Sequence, residues 1–413
     1  MRILLVHNSY QQPGGEDAVV AAERALLSAH GHEVISYRRS NDELNERGLF
    51  GPVAAGFETT WSSRSYREIK KLLEKEKPDV AHFHNTCPLI SPAAYHACAR
   101  AGVPVVQTLH NYRLLCPSAT FVREGKICEA CLGHAVPWPG VVHACYRGSR
   151  CATAATAAML AAHRALGTWR RKVNIYIVLT EFARRMFIEG GLPAEKIVVK
   201  PNFVAGDFAP KTQPGDYALF VGRLSAEKGP QLLPAAWRGM GEGIPLRIVG
   251  DGPLLESLSR ETNDGSRPKI QMLGRCPPEK VRGQMQGARF LVFPSIWYEG
   301  FPMTIAQAFA CGVPVIASRL GSMAEIVQDG TTGLHFEAGN AADLAAKVEW
   351  AWNHPEDLVR MGRAARAEYE AKYQSSGNYE MLMGIYGRAL DERKSLDGVG
   401  VRRDIFSSTT TDH

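Results

Sequence analysis

The segment Trp297-Tyr298-Glu299-Gly300-Phe301-Pro302, continuing through Gln307 to Cys311-Gly312-Val313-Pro314-Val315-Ile316, reads as loop, short helix and strand. Pro302 suits a first helical position, and Gly312 the position just past a helix end. Glu299 and Gly300 then stand at a helix N-terminus, where unpaired N–H groups and the helix dipole receive phosphate. A carboxylate at that place accepts hydrogen bonds from hydroxyls. A phosphate cradle next to a hydroxyl-binding carboxylate is what a sugar nucleotide requires.

Working outward, short apolar runs alternate with helical patterns along the whole chain, the signature of parallel α/β sheets. Strands are predicted at Ile3–Val6, Glu33–Tyr37, Val80–Phe83, Val103–Leu109, Tyr176–Leu179 and Ile197–Val199. After a linker at Pro201-Asn202-Phe203 and Pro210 to Asp216 they restart at Tyr217–Val221, Leu246–Val249, Ile270–Leu273, Phe290–Phe293, Val313–Ala317 and Gly333–Phe336. The expected fold is α/β, with two Rossmann-like doubly wound domains facing a central cleft. Residues 1–205 form the first domain, with a Cys-rich insertion at 111–150, and 206–375 the second. A terminal helix over 376–393 packs back on the first domain, and 394–413 form a polar, disordered tail.

The length of 413 residues fits two domains rather than one. A net charge of +6, with Lys and Arg scattered, argues for a solvated basic surface and against a nucleic-acid footprint. Anionic membrane surfaces and anionic ligands stay open as partners. Met1 to Val6 turns polar at His7 and reads as a buried strand, not a secretion signal. The run Ala152 to Ala162 is too short to span a bilayer. A cytoplasmic protein is expected, whose nine cysteines are free, metal-bound or redox-active rather than disulfide-bonded.

Gly222-Arg223-Leu224-Ser225-Ala226-Glu227-Lys228-Gly229 follows the first strand of the second half. It sets two cations at a strand's carboxyl end, where they neutralise a diphosphate. Gly250-Asp251-Gly252-Pro253 ends the next strand and lets backbone approach a ligand closely. Alone, Arg223 or Lys228 reads as a solvated surface charge. Their placement beside two Gly-rich strand ends tips the balance to a diphosphate site, so Lys228→Ala is expected to abolish turnover while costing little folding stability, as a surface Lys does.

Together with Pro294-Ser295 and the Glu299 to Ile316 segment, these stretches resemble the family 4 retaining glycosyltransferases of GT-B fold. The likeness covers nearly the whole chain and is densest between Gly222 and Gly333. It implies that Arg223 and Lys228 bind a nucleotide diphosphate and that Glu299 contacts the donor sugar. It implies that the backbone of Gly300, Phe301 and Met303, with Gly222 and Gly252, lines the donor site. It places Gln307 at the nucleotide ribose, where the family has a second Glu, and Pro302 stands where the family has a Gly. In the first half it sets Gly15 near the donor phosphate and His110 against the transferred sugar and the acceptor. It implies no catalytic metal. His82 and His84 are either a metal pair or a half-buried strand end.

The spacing C-x11-C-x2-C-x13-C joins Cys116, Cys128, Cys131 and Cys145, with a hairpin over Phe121–Ile127 leading into the C-x2-C knuckle. Two readings stay open, a structural zinc or reduced thiols in an ordered flap beside His110 that shapes acceptor choice. Cys87, Cys98, Cys276 and Cys311 read as small core hydrophobes.

The resemblance implies transfer of a sugar from a nucleotide diphosphate sugar to a saccharide or lipid-linked saccharide, with retention, in surface polysaccharide or glycolipid assembly. Peripheral association with the cytoplasmic membrane face is compatible with the charge. The alternative is a non-catalytic nucleotide-sugar-binding protein of the same fold. A nicotinamide-dependent enzyme is disfavoured, because His7 to Gly15 lacks the G-x-G-x-x-G spacing.

Overall fold

The computed structural model describes residues 1–11, 14–43, 56, 58–206, 208–211, 215–238, 240, 243–262 and 270–406, with side chains to 393. The linker residues 212–214 and the tail residues 407–413 lie outside them.

Two six-stranded parallel sheets build the molecule. The first uses β1 (Arg2–Ser9), β2 (Glu33–Ser40), β3 (Val80–Phe83), β4 (Val105–Thr108), β7 (Ile175–Val178) and β8 (Ile197–Val199), in the order β2-β1-β3-β4-β7-β8. β5 (Val122–Arg123) and β6 (Lys126–Ile127) form a separate antiparallel hairpin in the insertion. The second sheet uses β9 (Tyr217–Val221), β10 (Leu246–Val249), β11 (Ile270–Gly274), β12 (Ala288–Phe293), β13 (Val315–Ser318) and β14 (Gly333–Phe336), ordered β11-β10-β9-β12-β13-β14. The doubly wound architecture expected from the alternation is thus present. Central strands such as β3, β4 and β7 are buried along their whole length, as strands covered on both faces must be.

Strand order reverses between β1 and β3 in the first sheet and between β9 and β12 in the second. Crevices open at the carboxyl ends of such strand pairs, and ligands bind there. Every chemistry-bearing segment singled out above follows β1, β3, β4, β9, β10 or β12.

The amphipathic region after Ala341 is three helices, Ala341–Asn353, Pro355–Lys372 and Ser375–Phe406. The second helix packs on the second domain through Ala365 and Tyr369. The third crosses to the first domain, where Leu382, Ile385, Tyr386 and Ala389 cover Ile3, Val80, Val106, Ile175 and Ile177. Its backbone carries the helix through Lys394, where the sequence reading begins a disordered tail. The outgoing and returning crossings are tied side by side: Val204 N–H donates to the Tyr373 carbonyl (3.0 Å) and Asn378 Nδ2 to the Pro201 carbonyl (2.6 Å). Among the described residues no helix is long and apolar enough to cross a membrane. The Ala152–Ala162 run lies within a 16-residue helix, Arg150–Ala165.

Candidate functional site

Three strand ends of the second domain are fitted to one another without side chains between them. A Cβ at Gly250 would be driven into the carbonyl of Gly222, and one at Gly229 into that of Pro294. Gly250 and Gly229 also hold φ of +151° and +70°, which only glycine adopts freely. Lys228 is thereby fixed beside β12. Its Nζ lies 2.7 and 2.9 Å from the two carboxylate oxygens of Glu299, above the rings of Trp297 and Phe293. Ser295 Oγ donates to the same carboxylate (2.7 Å), and Ser322 Oγ to the Glu299 carbonyl (2.7 Å).

Glu299 is 5% exposed. Lys228 is therefore not a solvated surface charge. It neutralises a buried carboxylate, and removing it leaves that charge unpaired, which is costly in a poorly solvated site. The expectation that Lys228→Ala spares stability is corrected on this ground. Arg223, by contrast, is exposed and pairs with no side chain among the described residues.

Pro302 is the N-cap, not the first residue, of the helix Met303–Ala310, which ends at Cys311 with Gly312 in the left-handed region. Gln307 is half-buried on the helix. Met303 opens it, and the Phe301 ring packs edge-on against Tyr373. Gly252 lies against Leu224, and Gly15 stands exposed at the start of the helix Gly15–Ala29.

The first domain meets this site directly. Gly300 sits under the carbonyl of His110 with no room for a Cβ. Tyr112 OH reaches the Glu299 carbonyl (3.4 Å), and Glu325 accepts from the Glu181 and Phe182 N–H groups (2.8 and 2.6 Å). The structure thus joins His110, Lys228, Glu299 and Gly300 in one contact set. Arg223, Gly222 and Gly252 form a neighbouring patch on β9 and β10, and Gly15 another after β1.

Behind His110 stands a buried polar chain. His110 Nε2 and His84 Nδ1 are 2.8 Å apart, and His84 Nε2 is 3.3 Å from Glu23 Oε1. Lys200 Nζ is 3.5 Å from Glu23 Oε2. His82 is held by Tyr386 OH on Nδ1 (2.7 Å) and Thr108 Oγ1 on Nε2 (2.8 Å). Glu23, His82, His84 and Lys200 are each 3% exposed or less, so His82 and His84 are not a half-buried strand end. Their ligand atoms with Glu23 lie within 4.8 Å of one another. Both His82 nitrogens are engaged, which leaves none free for a metal, and a lysine ammonium faces Glu23, whereas Glu23 Oε1 and His84 Nε2 make no close hydrogen bond. Burial alone would raise the Glu23 carboxyl, but facing His82 and Lys200 it is held well below its usual range. Its negative charge favours the proton on His84 Nε2. His84 Nδ1 then accepts from His110 Nε2, which leaves a lone pair on His110 Nδ1.

Burial pushes His84 down to about 4, and burial holds His110 well below its usual value, with His84 acting in the same direction. Between pH 4 and the unfolded value near 6.5 the unfolded chain binds the extra proton. Stability is therefore complete above about pH 6.5 and is lost as pH falls, by about 3 kcal/mol for His84. Urea midpoints between pH 7 and pH 4 should show this loss. His84→Asn should remove up to about 1.4 kcal/mol per pH unit of the slope, and an unchanged slope would contradict a neutral buried His84.

Glu23, Ser322, Tyr112 and Glu325 were not singled out from sequence. Nor was Glu16, which accepts from Tyr10 OH (3.0 Å) beside Asn111 and Arg113 and whose carboxyl burial pushes up to about 7. A helical Glu carries no mark of being turned inward.

Residues 13–207 match the family model described as Glycosyltransferase Family 4, and residues 208–368 that of Glycosyl transferases group 1. The alpha-D-kanosaminyltransferase of Streptomyces kanamyceticus is 25% identical over 354 residues, 82% of this chain and 84% of that protein. The D-rhamnosyltransferase WbpZ of Pseudomonas aeruginosa is 29% identical over 43% of this chain. The chain spans about half the length of that relative, 47%, and 45% of the uncharacterized glycosyltransferase MJ1178 of Methanocaldococcus jannaschii. The structure of Anabaena Alr3699/HepE in complex with UDP superposes with a TM-score of 0.66 at 17% identity, covering 94% of this chain and all of that one. That likeness shows the shared GT-B fold. With both halves matched in order and the fold in common, the chain belongs to the group 1, family 4 glycosyltransferases.

Proposed function

We propose that this protein is a hexosyltransferase. It moves a sugar from a nucleotide diphosphate donor to the hydroxyl of a saccharide or lipid-linked saccharide, with retention at the anomeric carbon. The observation that carries the reading is the contact set of Lys228, Glu299 and Gly300 under His110, at facing strand ends of two domains.

Arg223 and Lys228 neutralise the departing diphosphate, which is electrostatic help concentrated where charge develops. Glu299 and the Gly300 to Met303 backbone hold the donor sugar, and Gly15, Gly222 and Gly252 leave room for phosphate and nucleotide. Gln307 bonds the ribose as a neutral partner, less strongly than a carboxylate would. The anomeric carbon–phosphate oxygen bond breaks, and the bond to the acceptor oxygen forms on the same face. The acceptor proton passes to a phosphate oxygen of the leaving group. His110, neutral at pH 7, offers Nδ1 to a hydroxyl of sugar or acceptor. No metal is required for these roles.

HepE was solved with UDP and with UDP-glucose, which supports a uridine nucleotide as a first donor to try. The names of relatives, including a phosphatidyl-myo-inositol mannosyltransferase of Mycobacterium leprae, support polysaccharide or glycolipid assembly. Nine free cysteines support a reducing compartment and so a cytoplasmic enzyme, with the net positive charge favouring contact with anionic lipid headgroups.

The test is a panel of nucleotide sugars screened by thermal stabilisation, followed by NMR of the anomeric proton during turnover. One stabilising donor and an α-linked product from an α-linked donor are expected. Tight donor binding with no transfer to any saccharide or lipid-linked acceptor would favour the non-catalytic binding protein. An inverted product would overturn retention.

A further inference from the structure

Between Asn111 and Ser149 the chain has little regular structure. Its regular structure is two strands of two residues and one helix of five. Five non-glycine residues there, Ala119, Phe121, Glu124, Ala144 and Arg147, hold φ between +49° and +69°. Only Lys77 and Ser91 share that region among the other described non-glycine residues. Each such residue costs of order 1 kcal/mol and persists only where its surroundings over-determine it. Tyr112, Leu115, Cys116 and Phe121 anchor its start in the core of the first domain, but beyond Phe121 few apolar residues hold the chain in place.

Four thiols converge in it from three separate turns. Cys116 follows the Tyr112 turn, Cys128 and Cys131 follow the β5–β6 hairpin, and Cys145 follows the helix Trp138–Val142. All four line one cavity of about 10 Å³, room for a single water-sized body. All four are free. The cavity wall contains no carboxylate and no imidazole, and its one charged residue is Arg123. The wall is closely built: a Cβ on Gly140 would come within 3.1 Å of Pro117 and 3.4 Å of Cys131 Sγ. The fifth nearby cysteine, Cys151, is exposed and is not part of the wall.

We propose that Cys116, Cys128, Cys131 and Cys145 hold one structural zinc ion as four thiolates. An all-sulfur donor set selects zinc among the common divalent ions, and four protein ligands make a closed, structural site rather than a catalytic one. On binding, each thiol releases its proton to solvent. The centre then carries two net negative charges, and the Arg123 guanidinium offsets part of them. The ligand atoms of Glu23, His82 and His84 sit closer together, but there both His82 nitrogens are hydrogen-bonded and Lys200 Nζ stands 3.5 Å from Glu23. No three of the four sulfurs lie within 4.8 Å of one another, so metal binding draws the cysteine side chains inward. Glu129, inside the knuckle, accepts a hydrogen bond from Tyr298 (2.7 Å), the neighbour of Glu299. The metal therefore fixes the flap against the second domain as well as against the first.

The test uses the full chain purified without chelator or added metal. Elemental analysis should find about one zinc per chain, and absorption spectroscopy at the zinc edge four sulfur neighbours at about 2.3 Å. Cys128→Ser and Cys131→Ser should lose the zinc, and Cys151→Ser should keep it. Should the serine variants fail to fold, a mercurial titration of the wild-type protein serves instead. Zinc release in step with the first four thiols supports the site. Less than a tenth of an equivalent of zinc, an equivalent of iron in its place, or a nitrogen- and oxygen-dominated shell would each overturn it. Zinc release that does not follow the thiols would do the same. None of these readouts depends on glycosyl transfer.

Discussion

Lys228→Ala is expected to lower kcat by about 10²–10³-fold and to lower folding stability by about 1–3 kcal/mol. The two losses come from one geometry. The ammonium bonds both oxygens of a carboxylate that is 5% exposed, and Ser295 is the other donor to it. Truncation leaves a buried charge with a single hydroxyl partner. Some of the lost stabilisation is recovered by water, because Lys228 itself is 24% exposed. The kinetic loss follows from the second task, meeting charge on the leaving diphosphate. The double variant Lys228→Ala/Glu299→Gln separates the tasks. Neutralising Glu299 should restore most of the stability and none of the rate, because partners in one ion pair do not add independently. Urea unfolding and steady-state kinetics at saturating donor make the comparison. Turnover near the wild-type rate in Lys228→Ala would remove this residue from the chemistry.

Gly300→Ala should cut kcat/KM about 100-fold or more while each domain stays folded. The new methyl group points at the His110 carbonyl, and neither side can yield locally. The Glu299 carbonyl is bonded by Ser322 and Tyr112. On the other side, Leu109 N–H donates to the Ile177 carbonyl (2.8 Å), anchoring the strand end that carries His110. Relief comes only by parting the domains, and misplacement of about an ångström in a reacting geometry costs on the order of 10²-fold. A larger radius of gyration by X-ray scattering, with an unchanged circular dichroism spectrum, should accompany the loss. Full activity would mean that the domains work further apart than they stand in this structure.

The second-domain segments of the proposed site were legible because their residues are written contiguously. Gly222 to Gly229, Gly250 to Pro253 and Glu299 to Gln307 each carry their turn glycines and their charges together, just after an apolar run. The parallel strands were legible for the same reason, since strands buried on both faces are near-continuous apolar segments. What stayed hidden depends on distant pairs. Nothing around Lys228 says that its partner is Glu299, so its removal read as costing little stability. Glu23 looks like any charge on an amphipathic helix until β3 brings His84 to it. Tyr298 finds Glu129 only when the two halves close. The cysteines fall between these cases, because their spacing is local but their convergence is not.

The terminal helix has a consequence for the order in which the protein is made. One face of the first sheet is finished by Leu382, Ile385, Tyr386 and Ala389, which leave the ribosome after the entire second domain. At about 5–20 residues per second, the face bearing Ile3, Val80, Val106, Ile175 and Ile177 waits on the order of tens of seconds for its cover. During synthesis the nascent first domain therefore presents a ready-made apolar surface to chaperones, and His82 lacks the Tyr386 hydroxyl that will later hold it. A transcript cut short after the second domain would yield a chain with both sheets formed and that surface permanently bare.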